Sequence, residues 1–163
     1  MDTSRMEKIY HEIVEKVADI IQEDWTKVYL YGEITDGVRK SYFNYYPKDN
    51  NKPVYCNNIP ELFNIDEDEY DKLWCELLDS LQELWLEFKK NGEEVWTNLT
   101  LTIDNIGKFK IDYSYEDLTN ADDYERHIIW DYKYLGLTPE DEDDKEVLEE
   151  YLKNAKTDIS RDI

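Results

Sequence analysis

The sequence predicts an α+β fold with an antiparallel sheet, from three observations. Two pairs of short stretches alternate apolar and polar residues, each pair broken by a turn signal. A long stretch between the pairs repeats large apolar residues every three or four positions, and further helical patterns open and close the chain. Hairpins interspersed with helices are the signature of this class, because neighbouring strands joined by tight turns pair antiparallel.

Residues 6 to 22 place Met6, Ile9, Ile13, Val17, Ile20 and Ile21 on one helical face and Glu7, Lys8, Glu12, Glu15 and Lys16 largely on the other, an amphipathic first helix. KVYLYGEI then alternates as a strand, with Val28, Leu30 and Ile34 on one side and Tyr29, Tyr31 and Glu33 on the other. Thr35-Asp36-Gly37 turns the chain into VRKSYFNYY, completing a hairpin that Pro47 and KDNNKP interrupt. Pro53 to Cys56 is read as a short edge strand, since prolines exclude a central position.

Asp66 is placed to N-cap the long central helix, with Glu67, Asp68 and Glu69 in its first turn. Tyr70, Leu73, Trp74, Leu77, Leu78, Leu81, Leu84, Trp85 and Phe88 line its broad apolar face, and Lys89-Lys90-Asn91-Gly92 ends it. WTNLTLTI, the turn DNIG and KFKIDYSY form a second hairpin. Asp122 to Tyr134 reads as a helix packing through Tyr124, Ile128, Ile129 and Tyr132, closed by Gly136. Thr138 as N-cap and Pro139 at the first helical position predict a last helix through Val147, Leu148, Tyr151 and Leu152. The length of 163 residues predicts one domain, 1–155, followed by a frayed tail over 156–163.

Charge is the dominant compositional signal. Forty Asp and Glu oppose 19 Lys and Arg, a formal net charge of -21, while 14 Tyr and 5 Trp supply more aromatic surface than a disordered acidic tail carries. Such a field repels nucleic acid and anionic membrane and steers basic partners inward. MDTSRMEKIYHEIVEKV lacks the apolar run of a secretory leader, and no window resembles a membrane span, which predicts a cytoplasmic protein. Cys56 and Cys75 stand apart without a CxxC pair, as free thiols, and Asn98-Leu99-Thr100 is a chance sequon within a strand pattern.

The chain holds no P-loop, GxGxxG, HExxH, GxSxG or EF-hand spacing. His11 and His127 lie in helical patterns with no nucleophile in view, and paired acids such as Asp122-Asp123 and Glu93-Glu94 are expected by chance among so many. These observations predict no catalytic, metal or cofactor site. The strand tyrosines, interleaved with Glu33, Asp112 and Glu116, suit a protein-binding face instead, since rigid rings bury area with little entropy lost. The candidate contact residues are Tyr31, Glu33, Asp112, Tyr113, Tyr115, Glu116, Asp117, Asp122 and Asp123.

MEKIYHEIVEKVADII, VYLYGEI, SYFNYYPK, NNIPELFNIDEDEYDKLW, EEVWTNLTLTIDNIGKFKIDYSYEDL and YERHIIWDYKYLG, taken in order over about residues 6–137, resemble the YezG/EsaG-like immunity (antitoxin) proteins of Gram-positive bacteria. The resemblance implies a cytoplasmic, non-enzymatic partner of a toxin exported by the type VII secretion system, in known cases a nuclease. An acidic surface suits that role, because a nuclease presents a basic cleft to phosphate. Two other classes compete: a carboxylate-dependent metal-binding hydrolase, and an adaptor or chaperone that escorts a secreted partner.

Overall fold

The computed structural model describes residues 3–161, with the side chains of residues 4–156. The elements are α1 (Thr3–Ile20), β1 (Trp25–Thr35), β2 (Val38–Pro47), β3 (Val54–Tyr55), a 3-10 turn (Cys56–Asn58), α2 (Ile59–Phe63), α3 (Glu67–Lys90), β4 (Asn98–Asp104), β5 (Phe109–Ser114), α4 (Asp123–Leu135) and α5 (Glu142–Arg161). They divide into two compact units, one ending at Glu116 and one starting at Asp117.

In the first unit the strands form one sheet in the order β3-β2-β1-β4-β5, every neighbouring pair antiparallel. Val28, Leu30 and Ile34 of β1 and Leu99, Leu101 and Ile103 of β4 are buried, with Ile9, Ile13 and Val17 of α1 and Leu77, Leu81 and Leu84 of α3. This is the expected α+β arrangement, and α1 packs along α3. Gly32 lets α3 come close: a Cβ there would lie 3.4 Å from both Leu81 methyls and from Leu99 Cδ1. Polar ties fix the layers, with Arg39 Nη1 donating to Asp79 Oδ1 at 2.7 Å and Trp85 Nε1 to the Trp96 carbonyl at 3.1 Å.

The central helix starts and stops on the expected signals. The Asp66 carboxylate accepts from the Glu69 amide at 3.3 Å, Glu67, Asp68 and Glu69 occupy the first turn, and Gly92 adopts φ +70° just past the end. Between the hairpins the chain holds two short elements that the alternation does not reveal. Cys56 opens the 3-10 turn instead of extending β3, and α2 follows, with Pro60 near its start and Asn64 left-handed at its end, φ 52°.

In the second unit Asp122 caps α4, its Oδ1 accepting from the Glu125 amide at 3.1 Å, and Gly136 closes it at φ +67°. Trp130 is buried, but Tyr124, expected on the packed face, is 64% exposed. A second correction concerns α5, which begins at Glu142, not at Pro139. The Asp141 carboxylate accepts from the Asp144 amide at 3.3 Å, so an acid inside the run takes the capping role that Thr138 was expected to fill. Glu142, Asp143 and Asp144 then meet the positive end of the helix dipole. The α5 backbone continues to Arg161, and the end of the expected tail, 162–163, lies outside the described residues.

Candidate functional site

The register of the sheet sorts the candidate contact residues of the first unit onto opposite faces. Tyr31 pairs with Tyr42 on one side and Thr100 on the other, and Thr100 pairs with Asp112, so these residues form one row across the face opposite α1 and α3. Glu33 lies in the next row, between Lys40 and Asn98. Tyr31 donates its hydroxyl to Glu33 Oε1 at 2.7 Å and stacks on Tyr42 with ring centroids 4.9 Å apart. Both are buried, Tyr31 to 4% and Glu33 to 6% exposure, whereas Asp112 is exposed with Lys110 Nζ 3.7 Å from its Oδ1.

Tyr113 belongs to the helix side. Its hydroxyl lies 2.7 Å from that of Tyr10 in α1, and its ring sits 5.1 Å from Phe88 and 6.0 Å from Trp96. Burial, then the hydrogen bond to Tyr10, pushes its phenol well above the ordinary range, so it stays protonated at any physiological pH. Tyr115 and Glu116 are exposed where the chain leaves the sheet. The Thr97 hydroxyl donates to the Glu116 carbonyl at 2.7 Å and so anchors the backbone there.

Three candidates fall in the second unit. Asp117 accepts from the Thr119 hydroxyl at 2.6 Å and its amide at 3.0 Å, a local turn that holds the carboxyl below the usual carboxylate range. Asp122 is the cap of α4, and Asp123 begins that helix with an exposed side chain. The pattern of tyrosines overlooked Tyr124, whose hydroxyl donates to Asp144 Oδ1 at 2.6 Å. Its signal was its setting among Asp122, Asp123 and Glu125, too acidic for a packed face.

Chemically the candidates of each unit offer carboxylates and phenols. Among the described residues no group of three or more His, Cys, Asp or Glu could hold a metal ion. Burial pushes the Cys56 thiol up to about 12, which leaves it inert, and Cys75 is exposed on α3. No helix of the described residues is long and apolar enough to cross a membrane.

A sequence model described as "Immunity protein YezG-like" matches residues 6–149, through both units. The chain belongs to this immunity protein family. Immunity protein YezG of Bacillus spizizenii is 43% identical over 155 residues, covering 94% of this chain and 96% of the relative. Immunity protein YezG of Bacillus subtilis is 44% identical over 149 residues, 90% and 99% of the two lengths. A type VII secretion system protein, EsaG of Staphylococcus aureus, is 32% identical over 118 residues, or 72% of each chain. In this immunity protein the match therefore runs from α1 into α5 and takes in every candidate residue.

Proposed function

We propose that this immunity protein binds and neutralises a cognate secreted toxin, a nuclease with a basic cleft, in the cytoplasm of the producing cell. Membership of the immunity family over residues 6–149 carries the reading. The net charge of -21 supports the nuclease target, since an acidic surface competes for groups that otherwise hold phosphate. The name of the staphylococcal relative supports a type VII-exported toxin.

In this reading Asp112, Tyr115 and Glu116 of the first unit, and Asp117, Asp122 and Asp123 of the second, present the exposed acids and ring that meet the toxin. Tyr31 and Glu33 are the buried support of the sheet face that carries Asp112, and Tyr113 fixes β5 to α1. Neutralisation needs no catalysis by the chain; it removes the toxin's cleft from its substrate.

Co-expression with nuclease toxins encoded beside the gene tests the proposal. The expected outcome is rescue of growth and a co-purifying complex that no longer cleaves DNA or RNA. A complex that still cleaves supports escort instead, and absence of both binding and rescue defeats the proposal.

A further inference from the structure

The sheet ends on two unlike strands, β3 of two residues and β5 of six. Lys110 pairs with Thr102 and Asp112 with Thr100, while the Asp104 amide donates to the Lys108 carbonyl at 2.9 Å, so Lys108, Lys110, Asp112 and Ser114 turn their backbone groups toward β4. In an antiparallel ladder the alternate residues turn theirs away. The amides and carbonyls of Phe109, Ile111 and Tyr113 therefore point out of the sheet, and among the described residues no backbone group bonds to them from that side.

We propose that this edge docks a second copy of the chain, the two β5 strands pairing antiparallel about a two-fold axis through Ile111. That register sets Ile111 opposite itself and Phe109 opposite Tyr113 of the other copy. All three are residues whose backbone groups face outward, so the pairing closes a complete ladder with none wasted. It also sets Lys110 of each copy opposite Asp112 of the other, on a face where both side chains are exposed. Cross-strand pairs of opposite charge at both symmetric positions make the edge self-complementary.

Neighbouring registers lack this property. An axis through Phe109 opposes Lys108 to Lys110, a like-charge pair, and an axis through Tyr113 opposes Lys110 to Glu116, beyond the end of the strand. An axis through Lys110 or through Asp112 still pairs outward backbone groups, but it sets that residue opposite its own copy, again a like-charge pair. The segment from Lys110 to Asp112 is itself charge-balanced around an apolar Ile111, which suits a like strand better than a basic one. Phe109, 37% exposed beside Tyr10 and His11, supplies apolar area next to the pair.

Two chains of charge -21 repel at long range, and salt screens that repulsion beyond a Debye length of about 8 Å at physiological ionic strength. Self-association should therefore tighten as salt rises, the opposite of an association steered toward a basic toxin. This separates the dimer from the toxin-binding reading.

The test is sedimentation velocity of the full chain without toxin, up to about 1 mM protein and at low and high NaCl. The expected result is a concentration-dependent monomer–dimer equilibrium, favoured by salt. K110E or D112K alone should weaken the dimer about tenfold, since each opposes like charges at both symmetric positions. An equimolar mixture should recover it, because a K110E copy offers two acids to the two lysines of a D112K copy. Hydrogen exchange should slow at Phe109, Ile111 and Tyr113 as concentration rises. A monomer under every condition, a dimer indifferent to either reversal, or singles that do not recover on mixing overturns the proposal. So does protection of these amides that appears only when toxin is added, which would make the edge a toxin contact.

Discussion

At the scale of single residues, burial decides what each group can do. Cys56 is fully buried with a thiol pushed up to about 12, and Cys75 is exposed, so a thiol reagent should modify one cysteine in the native protein and both in denaturant. Two fast-reacting thiols without denaturant would contradict the packing of the 3-10 turn. The same burial predicts an alkaline limit. Tyr45, Tyr70 and Tyr113 are raised along with Cys56, chiefly by desolvation, so the folded chain keeps protons that the unfolded chain releases. Stability is full below the ordinary Cys and Tyr values. It falls as pH rises through them toward the folded values, by up to about 1.4 kcal/mol per pH unit for each group. The urea midpoint should drop steadily from about pH 9 upward, and a midpoint flat to pH 11 would refute this origin. Glu33 shows why contact residues are harder to read than core. Alternation placed it on the face opposite the helices, and the hydroxyl of Tyr31 holds it there, but alternation does not report how deeply that face is buried.

Secondary elements were legible wherever periodicity and a cap agreed. β1, β2, β4, β5 and α3 all follow from apolar spacing bounded by Gly, Pro or Asp signals, and in β1 the anticipated Val28, Leu30 and Ile34 are buried, while at the edge in β5 Phe109 stays exposed. α2 was missed because five residues are too few to show a helical period, although Pro60 and Asn64 mark its ends. α5 was misplaced because Thr138-Pro139 imitates a helix start, and only the hydrogen bond from the Asp144 amide reveals Asp141 as the cap. This distinction is measurable. Asp66→Ala and Asp141→Ala should each destabilise their helix by about 1 kcal/mol, and Thr138→Ala should change nothing comparable. Loss of stability or of α5 amide protection in Thr138→Ala, with Asp141→Ala silent, would reverse the assignment. Tyr113 and Tyr115 illustrate the remaining difficulty: the first is bonded to Tyr10 and the second is exposed, a contrast set by where β5 ends.

For the molecule as a whole, charge and family point to one role, and kinetics can test the charge. If the acidic field steers the toxin inward, the association rate should fall steeply between low and physiological salt while the dissociation rate changes little. An association rate indifferent to salt would remove steering from the account. Family membership was legible because long stretches of unusual composition keep their order along the chain. Which acids bind was not, because 40 of them are spread over both units. The unequal ends of the sheet have a consequence for solution behaviour. β3 covers only Asn44 and Tyr45 of β2 and follows Pro53, whereas in the proposed pair β5 gives its whole six-residue edge to another β5. A two-fold joint of that kind uses the same edge of both copies, so the pair leaves no β5 free to recruit a third chain.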